Sequence, residues 1–283
     1  MTITEALREA AARLAASSDT ARLDAEVLMA HALGVTRSEL LLRRMTDPAP
    51  AAFPALIERR LAHEPVTYIT GEAEFYGHPF LVNPAVLIPR GDSEVLVAAA
   101  LEAAPDPKRV LDCGTGSGAL LLSVLAERPK AQGIGTDRSL DALQVAAANA
   151  ARLGLAECAR FLAADWEQPG WAASLGRFDL ILANPPYVED AAELAPSVRG
   201  HEPAGALFAG PEGLDAYRAL IPQLPGLLGP GGVALVEIGA TQAEAVCTIA
   251  ATAGLSAQLH HDLGGRPRVL LLQIPLGKPP ASA

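Results

Sequence analysis

The chain is poor in aromatic residues, which make up 4% of it, and poor in cysteine, with three thiols at positions 113, 158 and 247. So few rings leave a core built mainly from alanine and leucine. An odd number of scattered cysteines excludes a disulfide framework, and their spacing forms no metal-ligand cluster. A reduced, cytosolic setting is expected. Basic charge is also scarce: 22 Lys and Arg stand against 32 Asp and Glu, a formal net charge of −10. General attraction to a phosphate backbone is therefore excluded, and a protein partner with a basic surface fits better than nucleic acid. No apolar run reaches membrane-spanning length. The opening residues Met1-Thr2-Ile3-Thr4-Glu5-Ala6-Leu7-Arg8 lack the basic-then-apolar order of a secretory leader. A secreted or membrane-embedded protein is not expected.

What the chain does have begins with Asn184-Pro185-Pro186-Tyr187, directly after the apolar run Phe178-Asp179-Leu180-Ile181-Leu182-Ala183. A buried strand ending in this way presents a side-chain oxygen and backbone carbonyls at its carboxyl end, where open α/β sheets hold ligands. Proline has no N–H and a fixed φ, so the carbonyls around Pro185 and Pro186 stay out of a sheet ladder. Two rigid acceptors suit a substrate –NH2 group. Pro-Pro is also a plain stop signal, with asparagine as a turn residue.

A second feature lies upstream. Arg109-Val110-Leu111-Asp112-Cys113 reads as a short buried strand, Gly114-Thr115-Gly116-Ser117-Gly118 as a turn, and Ala119 to Arg128 as a helix whose exit is marked by Pro129. Glycines permit close approach of a ligand to the backbone, and N–H groups at a helix start are available to it. The Gly-x-Gly-x-Gly spacing departs from the dinucleotide fingerprint. Asp112 would repel a pyrophosphate but suits a cationic ligand such as one carrying an ammonium and a sulfonium. The next strand, Gln132-Gly133-Ile134-Gly135-Thr136-Asp137, ends nineteen positions after Gly118 in a candidate acceptor for ribose hydroxyls. Asp137 also reads as the capping region of a helix from Ser139 to Leu153, and both roles are compatible. A third strand ends in Asp165-Trp166, an acceptor for an amino group beside an apolar wall, or alternatively a turn acid and a half-buried core ring.

Residues 1–66 carry helical periodicity: Ile3, Leu7, Ala11 and Leu14, then Leu23, Val27, Leu28 and His31, then Leu40 to Leu42, then Phe53, Leu56, Ile57 and Leu61. Thr2 or Thr4 would cap the first helix, Asp19 or Thr20 the second, and Gly34 would close it. Arg37, Arg43, Arg44, Arg59 and Arg60 form either a solvated face or a docking surface for a partner. Residues 67–88 change to short β-like pieces, Glu74 to Tyr76 and Phe80 to Val82, joined through Gly77-His78-Pro79 as a hairpin linker. From 89 to 276, strands are expected near 109–113, 132–137, 159–164, 178–183, 231–238, 256–262 and 267–274. Helices between most of them argue for a mainly parallel sheet covered on both faces, and the short 262–266 link demands an antiparallel last pair. The tail Lys278-Pro279-Pro280-Ala281-Ser282-Ala283 is expected to fray.

The series Asp112 to Gly118, Asp137, Ala164-Asp165-Trp166 and Asn184-Pro185-Pro186-Tyr187 resembles the ordered motifs of class I S-adenosylmethionine-dependent methyltransferases acting on planar nitrogens. More narrowly, the chain is similar to the HemK/PrmC family, which methylates the glutamine of the Gly-Gly-Gln motif in peptide chain release factors. Glu64-Pro65-Val66-Thr67-Tyr68-Ile69-Thr70-Gly71, Glu74-Phe75-Tyr76-Gly77, Val86-Leu87-Ile88-Pro89-Arg90-Gly91-Asp92-Ser93-Glu94, Glu202-Pro203, Leu207 and Gly213-Leu214 carry that likeness. Gly91 and Ser93 depart from the proline and threonine typical of the family; Ser93 keeps the hydroxyl.

The resemblance implies a Rossmann-like α/β fold with a seven-stranded, mostly parallel sheet, preceded by a small helical bundle that docks substrate. It implies S-adenosyl-L-methionine as cofactor, held by Asp112, Gly114, Thr115, Gly116, Ser117, Gly118, Asp137, Asp165, Trp166 and Asn184. It implies a release-factor partner in the cytoplasm, whose glutamine amide is received by the Asn184 oxygen and the Pro185 carbonyl, with Pro186 beside them and Tyr187 packed on the flat group. Direct contact with nucleic acid or membrane is not expected. No metal is expected either, since the six histidines lack ligand spacing. An adenine-N6 methyltransferase of DNA or RNA is the alternative for the same acceptors, and would need a basic stacking groove. A dinucleotide oxidoreductase is opposed by the glycine spacing and by Asp112. A silent binding module is opposed by the intact Asn184 and Asp137.

Overall fold

In the computed structural model, residues 1–275 are described; the expectation for the tail, and the last residue of the 89–276 segment, lie outside them. The chain divides into two units, Met1–Glu72 with Leu194–Glu202, and Ala73–Glu193 with the chain from Pro203 onward.

The first unit is helical, with principal helices Ile3–Leu14, Ala21–Leu33 and Phe53–Leu61. Thr2 caps the first through a reciprocal box: its hydroxyl accepts from the Glu5 N–H, and the Glu5 carboxylate accepts from the Thr2 N–H. Thr20 takes the cap position of the second helix without a capping bond, and Gly34 ends that helix at φ 66°. Ile3, Leu7, Leu14, Leu28, Met29, Leu40, Phe53 and Ile57 form its core.

The second helix departs from its expected face. Leu23 and His31 are exposed, whereas Asp24 and Glu26 are buried. The reason is local neutralisation. Asp24 Oδ2 accepts from Arg60 Nε and Ser18 Oγ, each at 2.7 Å, and its Oδ1 accepts from Thr20 Oγ1 at 2.7 Å. Burial alone would raise the Asp24 pKa, but Arg60 and the two hydroxyls outweigh it and hold the carboxyl below the usual range. Glu26 lies between Arg22 and Arg37. Arg44 pairs with Glu39 and Asp47, and Arg59 with Glu64. Four of the five arginines read as a basic face are thus committed to the unit's own carboxylates.

In the second unit, β1 (Glu72–Phe75) and β2 (His78–Leu81) form a two-stranded hairpin. Its turn is Tyr76-Gly77, not Gly77-His78-Pro79. Tyr76 at φ 51° and Gly77 at φ 74° supply the two positive φ values that a tight hairpin demands, so His78 and Pro79 enter the second strand. Phe75 and Phe80 meet edge to face at 6.2 Å between centroids and join the main core, so the hairpin is built into this unit.

Seven further strands form one sheet: β3 (Arg109–Cys113), β4 (Gln132–Asp137), β5 (Ala159–Ala163), β6 (Phe178–Ala183), β7 (Leu228–Glu237), β8 (Ser256–His261) and β9 (Pro267–Gln273). Their order is β5-β4-β3-β6-β7-β9-β8, with β9 antiparallel to both neighbours. This is the mostly parallel seven-stranded arrangement the motifs imply. The central strands β6, β7 and β9 carry long buried apolar runs because both faces are covered there, whereas the edge strand β8 is polar and has no buried residue. Leu180 and Leu182 pack with Leu121 and Val124 on one side, Ile181 and Ala183 with Tyr217 and Leu224 on the other. Each such leucine, isoleucine or valine contributes roughly 1.5–3 kcal/mol of burial. At the opposite edge from the site, Asp179 Oδ2 accepts from the N–H groups of Lys108 and Arg109 and fixes the start of β3. No described helix is long and apolar enough to cross a membrane.

Candidate active site

The strand order reverses between β3 and β6, and a crevice opens at such a switch point beyond the carboxyl ends of the strands. Register decides what stands there. Cys113 pairs with Ala183, so the glycine turn that follows β3 and the Asn184 that follows β6 leave the sheet side by side. Asp137 pairs with Ala163, which brings Asp165 and Trp166 to the same edge. Gly114, Thr115, Gly116, Ser117, Asp137, Asp165, Trp166 and Asn184 line one cavity of about 390 Å³, together with Phe75, Arg90, Ser93, Arg138 and Phe208.

The turn follows from its glycines. Gly114, Gly116 and Gly118 have φ values of 74°, 53° and 81°, which other residues rarely adopt. The N–H groups of Gly114 and Thr115 both donate to the Thr136 carbonyl at 2.8 Å, and the Gly116 N–H donates to Asp137 Oδ2 at 3.0 Å. Asp137 Oδ1 accepts from the Ser139 N–H, and Ser139 caps the helix Leu140–Arg152. Asp137 therefore ties two elements together and still lines the cavity. Gly135 lies below: a Cβ there would stand 2.8 Å from both Thr115 Oγ1 and a Phe161 ring carbon. Buried Asn149 bonds Leu81 N and O and also the Ser117 carbonyl, linking hairpin to turn.

Asp112 is wholly buried beneath this turn and does not line the cavity. Its Oδ2 accepts from Thr115 Oγ1 at 2.6 Å, while Oδ1 has no hydrogen-bond partner among the described residues. Burial, aided by the nearby Asp137 charge, pushes its pKa up to about 7. Gly118, Pro185 and Tyr187 also stand behind the wall, whereas Gly114, Thr115, Gly116, Ser117, Asp137, Asp165, Trp166, Asn184 and Pro186 form it. Trp166 lies so near Gly114 that a Cβ there would meet its ring at 3.0 Å.

Tyr187 packs on the core beside β7 and donates from its hydroxyl to Glu237 Oε1 at 3.3 Å. Burial and the Glu237 charge push the phenol up to about 12. Its carbonyl accepts from Gln242 Nε2, which also donates to the Gly213 carbonyl, each at 3.1 Å. Val188 pairs with Phe208, and Arg138 Nη2 donates to the Gly205 carbonyl at 3.1 Å, so the segment after Pro203 forms the far wall. Asn184 Nδ2 donates to Ser93 Oγ at 3.4 Å. Among the described residues no loop hydrogen bond reaches the Pro185 carbonyl.

Glu237, Gln242, Arg138 and Arg268 were not singled out by sequence reasoning. An acid closing an apolar strand, as Glu237 closes β7, is the signal that identified Asp137 and applies equally here.

The arrangement suits a nucleoside-bearing cation: a turn opened by three glycines, a carboxylate at its lip, an indole wall, and a buried acid beneath. Comparison with known proteins agrees. Residues 5–71 match the PrmC N-terminal domain and residues 106–250 a methyltransferase domain. The release factor glutamine methyltransferase of Cereibacter sphaeroides is 45% identical over 97% of this chain and 99% of its own. That of Moorella thermoacetica is 46% identical over 96% and 98%. The structure of a ribosomal protein L11 methylase from Lactobacillus delbrueckii subsp. bulgaricus superimposes with a TM-score of 0.51 at 23% identity, covering 68% of this chain and 83% of that one. It shares the fold.

Proposed function

The chain belongs to the PrmC/HemK family of release factor glutamine methyltransferases, S-adenosylmethionine-dependent enzymes of class I, and from that premise we propose how its residues divide the work. It transfers a methyl group to the side-chain nitrogen (N5) of the glutamine in the Gly-Gly-Gln motif of peptide chain release factors, in the cytoplasm. The observation that carries this reading is the β3–β6 register, which seats Asn184 beside the glycine turn within one cavity.

S-adenosylmethionine, when bound, supplies an electrophilic methyl carbon on a sulfonium. Asp137 would accept from ribose hydroxyls and Asp165 from an amino group of the base, with Trp166 as the apolar wall beside it. The glycine backbone at Gly114 and Gly116 would admit the amino-acid part, with the buried Asp112 carboxyl beneath the turn.

An amide nitrogen is a weak nucleophile because its lone pair is shared with the carbonyl. Orientation is the strongest lever available to the protein, and a well-aligned pair lowers the barrier by about 7–11 kcal/mol without a strong base. The Asn184 oxygen and the Pro185 carbonyl each accept one N–H of the glutamine, aim the nitrogen at the methyl group and stabilise the positive charge it acquires. Pro186 forms the adjoining cavity wall. Tyr187 acts from behind, fixing the loop through its carbonyl and hydroxyl; access of its ring to the amide requires movement of that loop.

The test is mass spectrometry of a purified release factor incubated with this protein and the cofactor. One added methyl on the Gly-Gly-Gln glutamine, reduced about 100-fold or more in Asn184→Ala, is expected, by analogy with the loss of one transition-state hydrogen bond. Methylation of an adenine oligonucleotide instead of the protein would overturn the reading.

A further inference from the structure

Behind Asn184 lies a buried polar cluster that the transfer reaction as described does not use. The β6–β7 ladder pairs Ala183 with Val236, so the next residues, Asn184 and Glu237, emerge together. Glu237 is 2% exposed, and its Oε2 accepts no hydrogen bond from the described residues. Ser93, 4% exposed, accepts from Asn184 Nδ2 at 3.4 Å, and its hydroxyl also acts on the Glu237 carboxyl. The loop carrying Ser93 is held from the other side: Arg268 Nη2 on β9 donates to Asp92 Oδ2 at 3.1 Å and to Asp262 Oδ2 at 3.3 Å.

The two ends of a carboxamide have nearly the same shape and opposite hydrogen-bonding character. An Asn184 turned the wrong way would point its own –NH2 at the –NH2 of the substrate, and nothing in the outline of the side chain prevents that. A carboxylate does, because an ionised acid only accepts. Ser93 transmits the constraint: a hydroxyl that donates toward Glu237 has only lone pairs left for Asn184, and these take the Nδ2 end. Burial raises the Glu237 pKa above the usual carboxylate range, while the Ser93, Tyr187 and Asn184 hydrogens and the Arg268 charge act in the opposite direction, toward the ionised form.

We infer that Glu237, acting through Ser93, is a positioning group that fixes the Asn184 carboxamide with its nitrogen toward the protein and its oxygen toward the cavity. This rests on the reading of Asn184 as an acceptor for the substrate amide. Glu237 meets neither substrate nor cofactor. It decides which end of Asn184 does.

Two substitutions and a rescue test it, with release factor as methyl acceptor. Glu237→Gln keeps the shape but adds a donor, and Ser93→Ala removes the relay. Each is expected to lower kcat about 10–100-fold, with the cofactor Kd within about twofold of wild type and thermal unfolding little changed. Ser93→Thr restores the hydroxyl and is expected to recover most of the rate lost in Ser93→Ala. If wild type methylates release factor and Ser93→Ala and Glu237→Gln both match its kcat, the positioning role is wrong. It is equally wrong if both lose rate only in proportion to lost cofactor binding, or if Ser93→Thr recovers nothing. Wild type that does not methylate release factor overturns instead the functional reading on which the inference stands.

Discussion

Two glycines on the same face of β4 offer a contrast that isolates the role of the glycine turn. A Cβ on Gly133 would stand 2.8 Å from Leu121 Cδ1 and from Leu125 Cδ1, the flexible tips of two leucines on the helix Ala119–Glu127. A Cβ on Gly135 meets Phe161 and Thr115 Oγ1, also at 2.8 Å. Neither glycine has a positive φ, so alanine is conformationally allowed at both and the cost is steric. Overpacking of one methyl costs roughly 1–3 kcal/mol, offset by about 0.5–1 kcal/mol for removing glycine from a strand. Gly133→Ala should therefore lower stability by about 0–2.5 kcal/mol. Gly135→Ala additionally displaces Thr115 from Asp112, a 2.6 Å bond to a buried acid whose loss adds about 1.5–3 kcal/mol. At about 2–4 °C per kcal/mol for a unit of this size, Gly135→Ala melts measurably early, and earlier than Gly133→Ala. The decisive assay is calorimetric binding of S-adenosylmethionine at a temperature where both are folded. Gly133→Ala should keep the wild-type Kd within about twofold, and Gly135→Ala should weaken it by tenfold or more as the turn above it shifts. Equal affinities in the two variants would refute the claim that Thr115 and Gly135 together shape the binding turn.

Two further outcomes follow from buried acids of opposite behaviour. Asp112 has a raised folded-state pKa of about 7, so its contribution to stability is greatest below the unfolded value near 4 and is lost as pH climbs toward 7, by at most about 1.4 kcal/mol per pH unit. Urea unfolding from pH 5 to 8 should show this decline, and Asp112→Asn should flatten it; an unchanged slope in the variant would reject the assignment. Asp24 is depressed, so its contribution is present above its unfolded pKa and lost as pH falls through the folded value. Arg60→Ala, which leaves that carboxylate buried without its cation, should destabilise the helical unit by about 3–5 kcal/mol at pH 7. Hydrogen exchange in the helix Ala21–Leu33 measures this, and the difference from wild type should shrink below about pH 4; a gap that persists there would point to lost packing instead.

Much of the sheet could be read directly because its physics is local. Runs such as Phe178–Ala183 are apolar on both faces, and glycine or proline punctuates their ends. That the turn from Gly114 to Ser117 and Asn184 face a common cavity was legible for the same reason: glycines and a polar amide follow directly on buried strands, at the end where open α/β sheets hold ligands. Pairing partners were not. Nothing near Ser93 in the chain announces Asn184, which lies 91 residues away, and Glu237 becomes informative only once β7 is known to lie beside β6. The helical unit misled in another way. Burial of Asp24 and Glu26 contradicts the apolar stripe, and it is tolerable because local partners (Ser18, Thr20, Arg22) are joined by the distant Arg60 and Arg37 on folding. The hairpin turn moved because Tyr76, a residue seldom found at positive φ, adopts it.

The reversed direction of β9 has a temporal consequence. Because it runs against its neighbours, its first residues arrive at the edge where the others finish, and Arg268 meets Asp92 across 176 positions of chain. As the polypeptide leaves the ribosome from its amino end, the glycine turn and Asn184 emerge well before that clasp exists. The loop bearing Ser93 must therefore wait for nearly the whole second unit to be synthesised before its anchor is complete, which delays assembly of the reaction centre until late in the birth of the molecule.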